Sequence, residues 1–211
     1  MGQQFGDMVS PHSERNVLTA VQELMRSEGA AVTLSAVARR SGTSRNFLYS
    51  AWKSLGALQE RAVTAEVMST FNAAEDACPV DGTVSGTLAH LVYVARSIRH
   101  HPTTAAIART APAAMAHALT AMDGLLSDAV RHRVKQLLYP LRLTDREHEL
   151  AAVDALAWKI LWIARPTALC PQAVGDPDRE RTLDLGLSLL LADLLAAPSR
   201  TAPDSPETLE R

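Results

Sequence analysis

VARRSGTSRNFLYSAWKS, residues 37–54, is the stretch whose reading decides the fold. Val37 and Ala38 stand beside Arg39 and Arg40, as in a short helix with one face inward and one in water. Gly42 then supplies a turn glycine. Ser44 is a good N-cap for a second short helix that carries Arg45, Asn46, Phe47, Leu48 and Tyr49. Two short helices joined by a tight glycine turn are the helix-turn-helix signature. In that motif the second helix enters the major groove, and its first residues reach base edges. Arginine pairs bidentately with guanine and asparagine with adenine. The free amides and dipole of a helix N-terminus favour phosphate. The Tyr49 hydroxyl, one turn on, is placed to reach the DNA backbone. A plainer reading stands beside this one: serine caps helices well, arginine prefers water, and Phe47 and Leu48 read as core.

The same helical grammar extends in both directions. Val17, Leu18, Val21, Leu24 and Met25 form one helical face over 14–28, with Ser13 as the expected cap and Gly29 as the stop. Thr33 is placed to cap the helix that ends before Gly42. Ser54 is placed to cap a long helix over about 55–77, with Leu58, Ala62, Ala65, Met68 and Phe71 inward. Beyond it the pattern predicts helices over 83–99, 103–110, 113–138, 143–164 and 178–195, and no segment has strand alternation with hairpin signals. The expected fold class is all-α: a three-helix helix-turn-helix head followed by a larger helical body. The expected division is a head over 12–58, a body over 59–197 and a Pro/Ser/Thr-rich disordered tail over 198–211. Residues 1–11 are expected to fray.

Composition excludes several classes. With 211 residues, 47% hydrophobic and 21% charged, the chain is long and apolar enough to bury a core. No apolar run approaches the roughly 18 residues of a bilayer span. The N-terminus lacks the basic start and apolar stretch of a signal peptide, so a cytoplasmic protein without a membrane partner is expected. Cys78 and Cys170 have no metal-type spacing and read as packing residues. The histidines are scattered, and no zinc-protease, nucleophile-elbow, phosphate-loop or dinucleotide motif occurs. The expectation is no enzyme, no catalytic or metal residue and no cofactor. Net charge is −2, but residues 1–62 carry seven basic and five acidic side chains, leaving the acidic excess to the rest. A mildly basic head on an acidic body suits a head that meets phosphate.

Residues 14–63 as a whole resemble the DNA-binding domain of the TetR family of bacterial transcriptional regulators. The matching positions are Gly29, Thr33 with Val37 and Ala38, Gly42 with Ser44, Leu48-Tyr49, Trp52, Ser54 and Leu58. They cover about a quarter of the chain; the remainder matches only as a long helical body after a three-helix head. The resemblance implies DNA-binding roles for Thr33, Ser44, Arg45, Asn46, Phe47, Tyr49, Lys53 and Ser54, with Thr33 also capping its helix and Tyr49 contacting phosphate. Trp52 stands where phenylalanine is usual and is expected to pack the head. Three positions depart from the pattern. Ala51 replaces a common histidine, Leu55 a common lysine and Gly56 a common glutamate. Fewer phosphate contacts weaken binding and flatten its salt dependence, with a slope near 0.9 per neutralised phosphate.

For the body, the resemblance implies a homodimer through the last two long helices, about 144–164 and 179–195, and a small-molecule effector among the central helices. The leucines of 183–195 cover more than one face, which calls for cover on several sides, from a partner or from the monomer core. Tyr93, Met115, Met122, Trp158 and Trp162 are the candidate pocket residues, with core or dimer interface as the plain alternative. Their company of Ala, Leu and Met suggests an apolar or flat ligand. The leading function is a ligand-responsive repressor that binds a palindromic double-stranded operator as a homodimer. The alternative, motivated by Ala51 and Leu55, is a helical ligand- or protein-binding module with a weakened, non-DNA-reading head. A DNA-binding regulator without an effector is a third reading.

Overall fold

The computed structural model describes residues 11–112, 115, 119–120, 123–141 and 149–196. Its helices are α1 (Pro11–Glu28), α2 (Leu34–Ser41), α3 (Arg45–Ala51), α4 (Leu55–Ala77), α5 (Val84–His100), α6 (Pro102–Thr110), α7 (Leu125–Leu138), α8 (Glu149–Ala168) and α9 (Pro177–Ala196). No strand occurs among the described residues. The all-α class is the one the hydrophobic periodicity predicts.

The apolar residues gather into two clusters. The first belongs to the head: Val17, Val21 and Met25 of α1 close on Val37 of α2, Leu48 of α3 and Leu58 and Ala62 of α4, with Trp52 sealing the α3–α4 turn. The second lies in the body and joins Phe71, Leu91, Leu138, Ile160, Leu187 and Leu191 from α4, α5, α7, α8 and α9. Helix α4 serves both, with its first turns in the head and its later turns in the body. Ion pairs fasten it to α1 at two levels: Arg61 to Glu14 at 2.6 Å and Arg26 to the buried Glu66 at 2.6 Å.

Helix α6 lies against the head as well. Ile107 packs on the head cluster. Gly29, at the end of α1, has φ +62°, and a Cβ built there would stand 1.8 Å from Thr110 Oγ1. Glycine is therefore needed twice at this position, for the left-handed backbone and for the close approach of α6.

In the body a buried charge cluster ties α5 to α9. Asp184 accepts hydrogen bonds from Arg99 at 2.5 Å and from Arg96 Nε at 2.7 Å. Arg99 is wholly buried. A buried guanidinium needs such a carboxylate, because an unpaired ion would carry the full desolvation penalty.

Several boundaries differ from the sequence reading. Helix α1 begins at Pro11, so Ser13 sits inside the first turn rather than capping it. Proline is favoured at that start because its missing N–H has no helical partner to lose. The expected helix over 113–138 does not run through: Gly124, with φ +100°, precedes α7, which starts at Leu125. Helix α8 continues through Pro166 to Ala168, beyond the expected 164. The expected frayed start up to residue 10, the whole of the expected tail over 198–211 and the segment 142–148 lie outside the described residues.

Candidate functional site

The recognition segment is built from three side-chain caps. Thr33 Oγ1 accepts the Ala36 amide at 3.2 Å, Ser44 Oγ the Phe47 amide at 3.1 Å and Ser54 Oγ the Ala57 amide at 3.1 Å. Each cap satisfies an amide that the first turn of a helix leaves open, an arrangement that contributes about 1 kcal/mol. Between α2 and α3, Gly42 takes φ +69°, its amide bonding Ala38 O. The Thr43 amide bonds the same carbonyl at 3.0 Å. This left-handed glycine turns the chain sharply enough to set α3 across α2.

Leu48 points fully into the head cluster, while Ser44, Arg45, Asn46 and Tyr49 are exposed. Tyr49 is 59% exposed, although its ring is large and apolar. Arg45 and Tyr49 are four residues apart and so share one helix face. Arg45 Nη1 donates to Ser35 Oγ at 3.3 Å, which holds its guanidinium over the start of α2 near Thr33. Lys53 and Arg39 are exposed and have no ion-pair partner among the described residues. Arg40, by contrast, is paired with Glu23 at 2.7 Å.

Phe47 is the exception in the expected DNA-contacting set. It is half-buried and stands edge-on to Trp52, ring centroids 6.1 Å apart. Its ring packs in part on the head cluster, as the plain reading has it. Ala51 and Leu55 are half-buried against the same cluster. Trp52 packs the head as expected, at 8% exposure.

A second site lies in the body: a cavity of about 750 Å³, bounded by α4, α5, α6, α7 and α8. That is within the usual range for small-molecule sites, roughly 300–1,000 Å³. Val67, Phe71, Leu91, Val94, Val134 and Ile160 form apolar walls. Among the expected pocket residues Met115 lines it and is buried. Tyr93, Trp158 and Trp162 do not. Tyr93 borders a separate cleft of about 320 Å³ beside Arg26 and Glu66. Trp158 lies under the Arg131 guanidinium, 4.7 Å from its ring centroid, a cation–π contact. Trp162 is 56% exposed on the outer side of α8. Met122 lies outside the described residues.

The sequence reading also missed polar residues on the cavity wall: Glu66, Thr103, Ser127 and Arg165. Arg165 Nη2 donates to Ser127 Oγ at 3.0 Å, and burial pushes its guanidinium below its ordinary value. One signal for it was present. Leu161, Ala164 and Ala168 share its helical stripe, so periodicity turns this charge inward. No group of three or more His, Cys, Asp or Glu able to hold a metal ion occurs among the described residues, and none of the described helices is long and apolar enough to cross a membrane.

These features define an all-helical chain with a helix-turn-helix head and a hollow helical body, the fold of TetR-family repressors. The chain is similar over 92% of its length to the transcriptional repressor QsdR of R. erythropolis, from the TetR family, covering 99% of that chain with a TM-score of 0.66 and 15% identity. It is also similar to a structure described as the molecular basis for control of antibiotic production by bacterial hormones. There the TM-score is 0.52 and the identity 21%, over 86% of this chain and 98% of that one. No protein-family model matches the chain, and no curated protein matches it.

Proposed function

We propose that the protein is a ligand-responsive transcriptional repressor that binds a palindromic DNA operator as a homodimer, acting in the cytoplasm. The observation that carries this reading is the exposed face of α3. Arg45, Asn46 and Tyr49 are exposed at the start of a capped helix, with Thr33, Lys53 and Ser54 exposed at the neighbouring helix starts. Arg45 and Asn46 supply base readout; Thr33, Tyr49, Lys53 and Ser54 supply phosphate contacts. QsdR, which has this fold, is a repressor.

Support for the dimer comes from α8 and α9. Leu150, Trp162, Leu185, Leu189 and Leu190 are all more than half exposed there. Isolated exposed leucines are ordinary, but a concentration of them on two adjacent helices favours a partner surface. A second copy is the partner that also matches a palindrome, setting two recognition helices roughly 34 Å apart.

Support for ligand response comes from the cavity and from α6. Ile107 both lines the cavity and packs on the head cluster, so an occupant of the body bears on a residue that touches the head. A ligand that prefers one head spacing over another shifts the population between them, by no more than its difference in affinity for the two.

Fluorescence anisotropy on duplexes from upstream of the protein's own gene, titrated against salt, tests the reading. Saturable, sequence-selective binding with a salt slope set by the phosphate contacts is expected. Weak, sequence-blind binding at low salt would instead favour the module with a disabled head, for which the inward Ala51 and Leu55 are the motivating observation.

A further inference from the structure

The outer cleft beside Tyr93 is a different kind of space from the internal cavity. It holds about 320 Å³, the small end of the range for small-molecule sites, roughly 300–1,000 Å³. Three helical stripes line it: Gln22 and Arg26 on α1, Glu66 and Ser69 on α4, and Tyr93 and Ser97 on α5. Within each stripe the side chains are three or four residues apart and so share a face. The cleft therefore lies where the head, through α1, meets the body, through α5.

Its charges cancel. Arg26 meets Glu66 at 2.6 Å; the guanidinium is 43% exposed and the carboxylate 8%. A guest anion would draw Arg26 away from that buried carboxylate, and a guest cation would compete with Arg26 for it. Either leaves a charge short of its partner, which is costly where the charge is buried. A neutral guest disturbs neither.

The uncommitted polar atoms are neutral, and most are hydroxyls. Ser69 Oγ, Tyr93 Oη and Ser97 Oγ make no hydrogen bond among the described residues. Gln22 donates its side-chain N–H to Ala62 O at 3.1 Å, which leaves its Oε1 as an acceptor. His101, also on the wall, accepts the Thr103 amide on Nδ1 at 3.4 Å, so a neutral ring carries its proton on Nε2 as a donor. Hydroxyls both donate and accept, so this wall matches a guest that does the same at several points. Exposed Ala73 and the half-buried Tyr93 ring add apolar surface beside them.

We infer that the cleft binds a neutral polyhydroxylated molecule the size of one sugar ring. Its hydroxyls exchange hydrogen bonds with Ser69, Tyr93 and Ser97, and its C–H faces meet Ala73 and the Tyr93 ring. This site goes beyond the operator and the internal cavity and does not depend on the reading of either. A bound ring touches α1 and α5 together, so its affinity depends on how the head sits on the body, and it favours the setting that it fits best.

The test is an amide NMR titration of the isotope-labelled full chain, without DNA, against D-glucose, D-galactose and D-mannose, with the uronate and the amino sugar of each. At least one neutral hexose should saturate below about 20 mM, with shifts gathered at Gln22, Ser69, Tyr93 and Ser97. It should bind at least about fivefold more tightly than its two charged counterparts. Tyr93→Phe and Ser97→Ala should each weaken it about fivefold, the loss of one neutral hydrogen bond. Neither should lower the melting temperature, because neither hydroxyl bonds within the fold. Ala73→Trp fills the cleft from an exposed position, so it should abolish the shifts while the chain stays folded. Absence of saturation by all three hexoses, tighter binding of a charged counterpart, or wild-type affinity in both hydroxyl variants would each overturn the assignment. Operator binding plays no part in these outcomes, and its failure would be read in the anisotropy titration.

Discussion

Replacing Gly29 by alanine probes the joint between head and body at its tightest point. The substitution acts in three ways. An L-residue at φ +62° carries a left-handed strain of roughly 1–2 kcal/mol. The new Cβ would stand 1.8 Å from Thr110 Oγ1 and 2.7 Å from Thr110 Cβ and Cγ2, a contact no rotamer of so short a side chain fully relieves. Overpacking of that kind costs about 1–3 kcal/mol. Against these, alanine restricts the unfolded chain, which offsets about 0.4–1 kcal/mol. The net expectation is a loss of about 2–4 kcal/mol in urea or guanidinium unfolding, with the slope against denaturant unchanged. Thr110→Ala in the same chain removes Oγ1 and Cγ2 and should recover about 1 kcal/mol or more of the Gly29→Ala loss, leaving the backbone strain and the 2.7 Å approach of the two Cβ atoms. The double-mutant cycle isolates that coupling. A loss below about 0.5 kcal/mol for Gly29→Ala, or a cycle with no coupling energy, would refute the packing of α6 on the end of α1.

Three further outcomes are expected. Arg45→Ala should relax base preference at one position per half-site by about 1–3 kcal/mol, and Tyr49→Phe should weaken binding to all sequences alike, both with unchanged melting temperatures; unchanged affinity in both, measured by anisotropy, would remove α3 from the interface. Leu189→Glu places a charge on the exposed face of α9 and should convert a dimer to monomer in sedimentation velocity without unfolding the chain; a dimer that persists would put the interface elsewhere. Asp184→Ala leaves the buried Arg99 without its carboxylate and should cost about 3–5 kcal/mol in chemical unfolding, whereas a cost under about 1 kcal/mol would mean that water reaches the guanidinium.

The head was legible in the sequence because its determinants are local. Thr33, Ser44 and Ser54 act on amides three residues on, and Gly42 acts on its own φ, so each could be read from a few neighbours. Phe47 shows the limit of that reading. Its position at the front of α3 suits DNA as well as core, and its contact with Trp52 exists only once the turn after α3 is built. The cavity was barely legible. Trp158 and Trp162 are neighbours by helical spacing, yet one is covered by Arg131 and the other faces outward. Which side of an apolar helix faces a hollow depends on how five helices cross, and no short-range pattern encodes that. Arg165 was the better indicator, as a charged residue on a stripe that periodicity turns inward.

The pairing of Asp184 with two arginines has a consequence for how α9 is oriented about its own axis. Leu187, Leu191 and Leu195 face the core, but Leu185, Leu189 and Leu190 face out, so leucine stands on both sides of the helix. Hydrophobicity alone would accept several rotations of such a rod at little difference in energy. A carboxylate that must meet Arg99 accepts one. The buried charge thus works as a key in a shaft: it selects which leucines are offered to the outside, and so the shape of the surface that another copy would have to match.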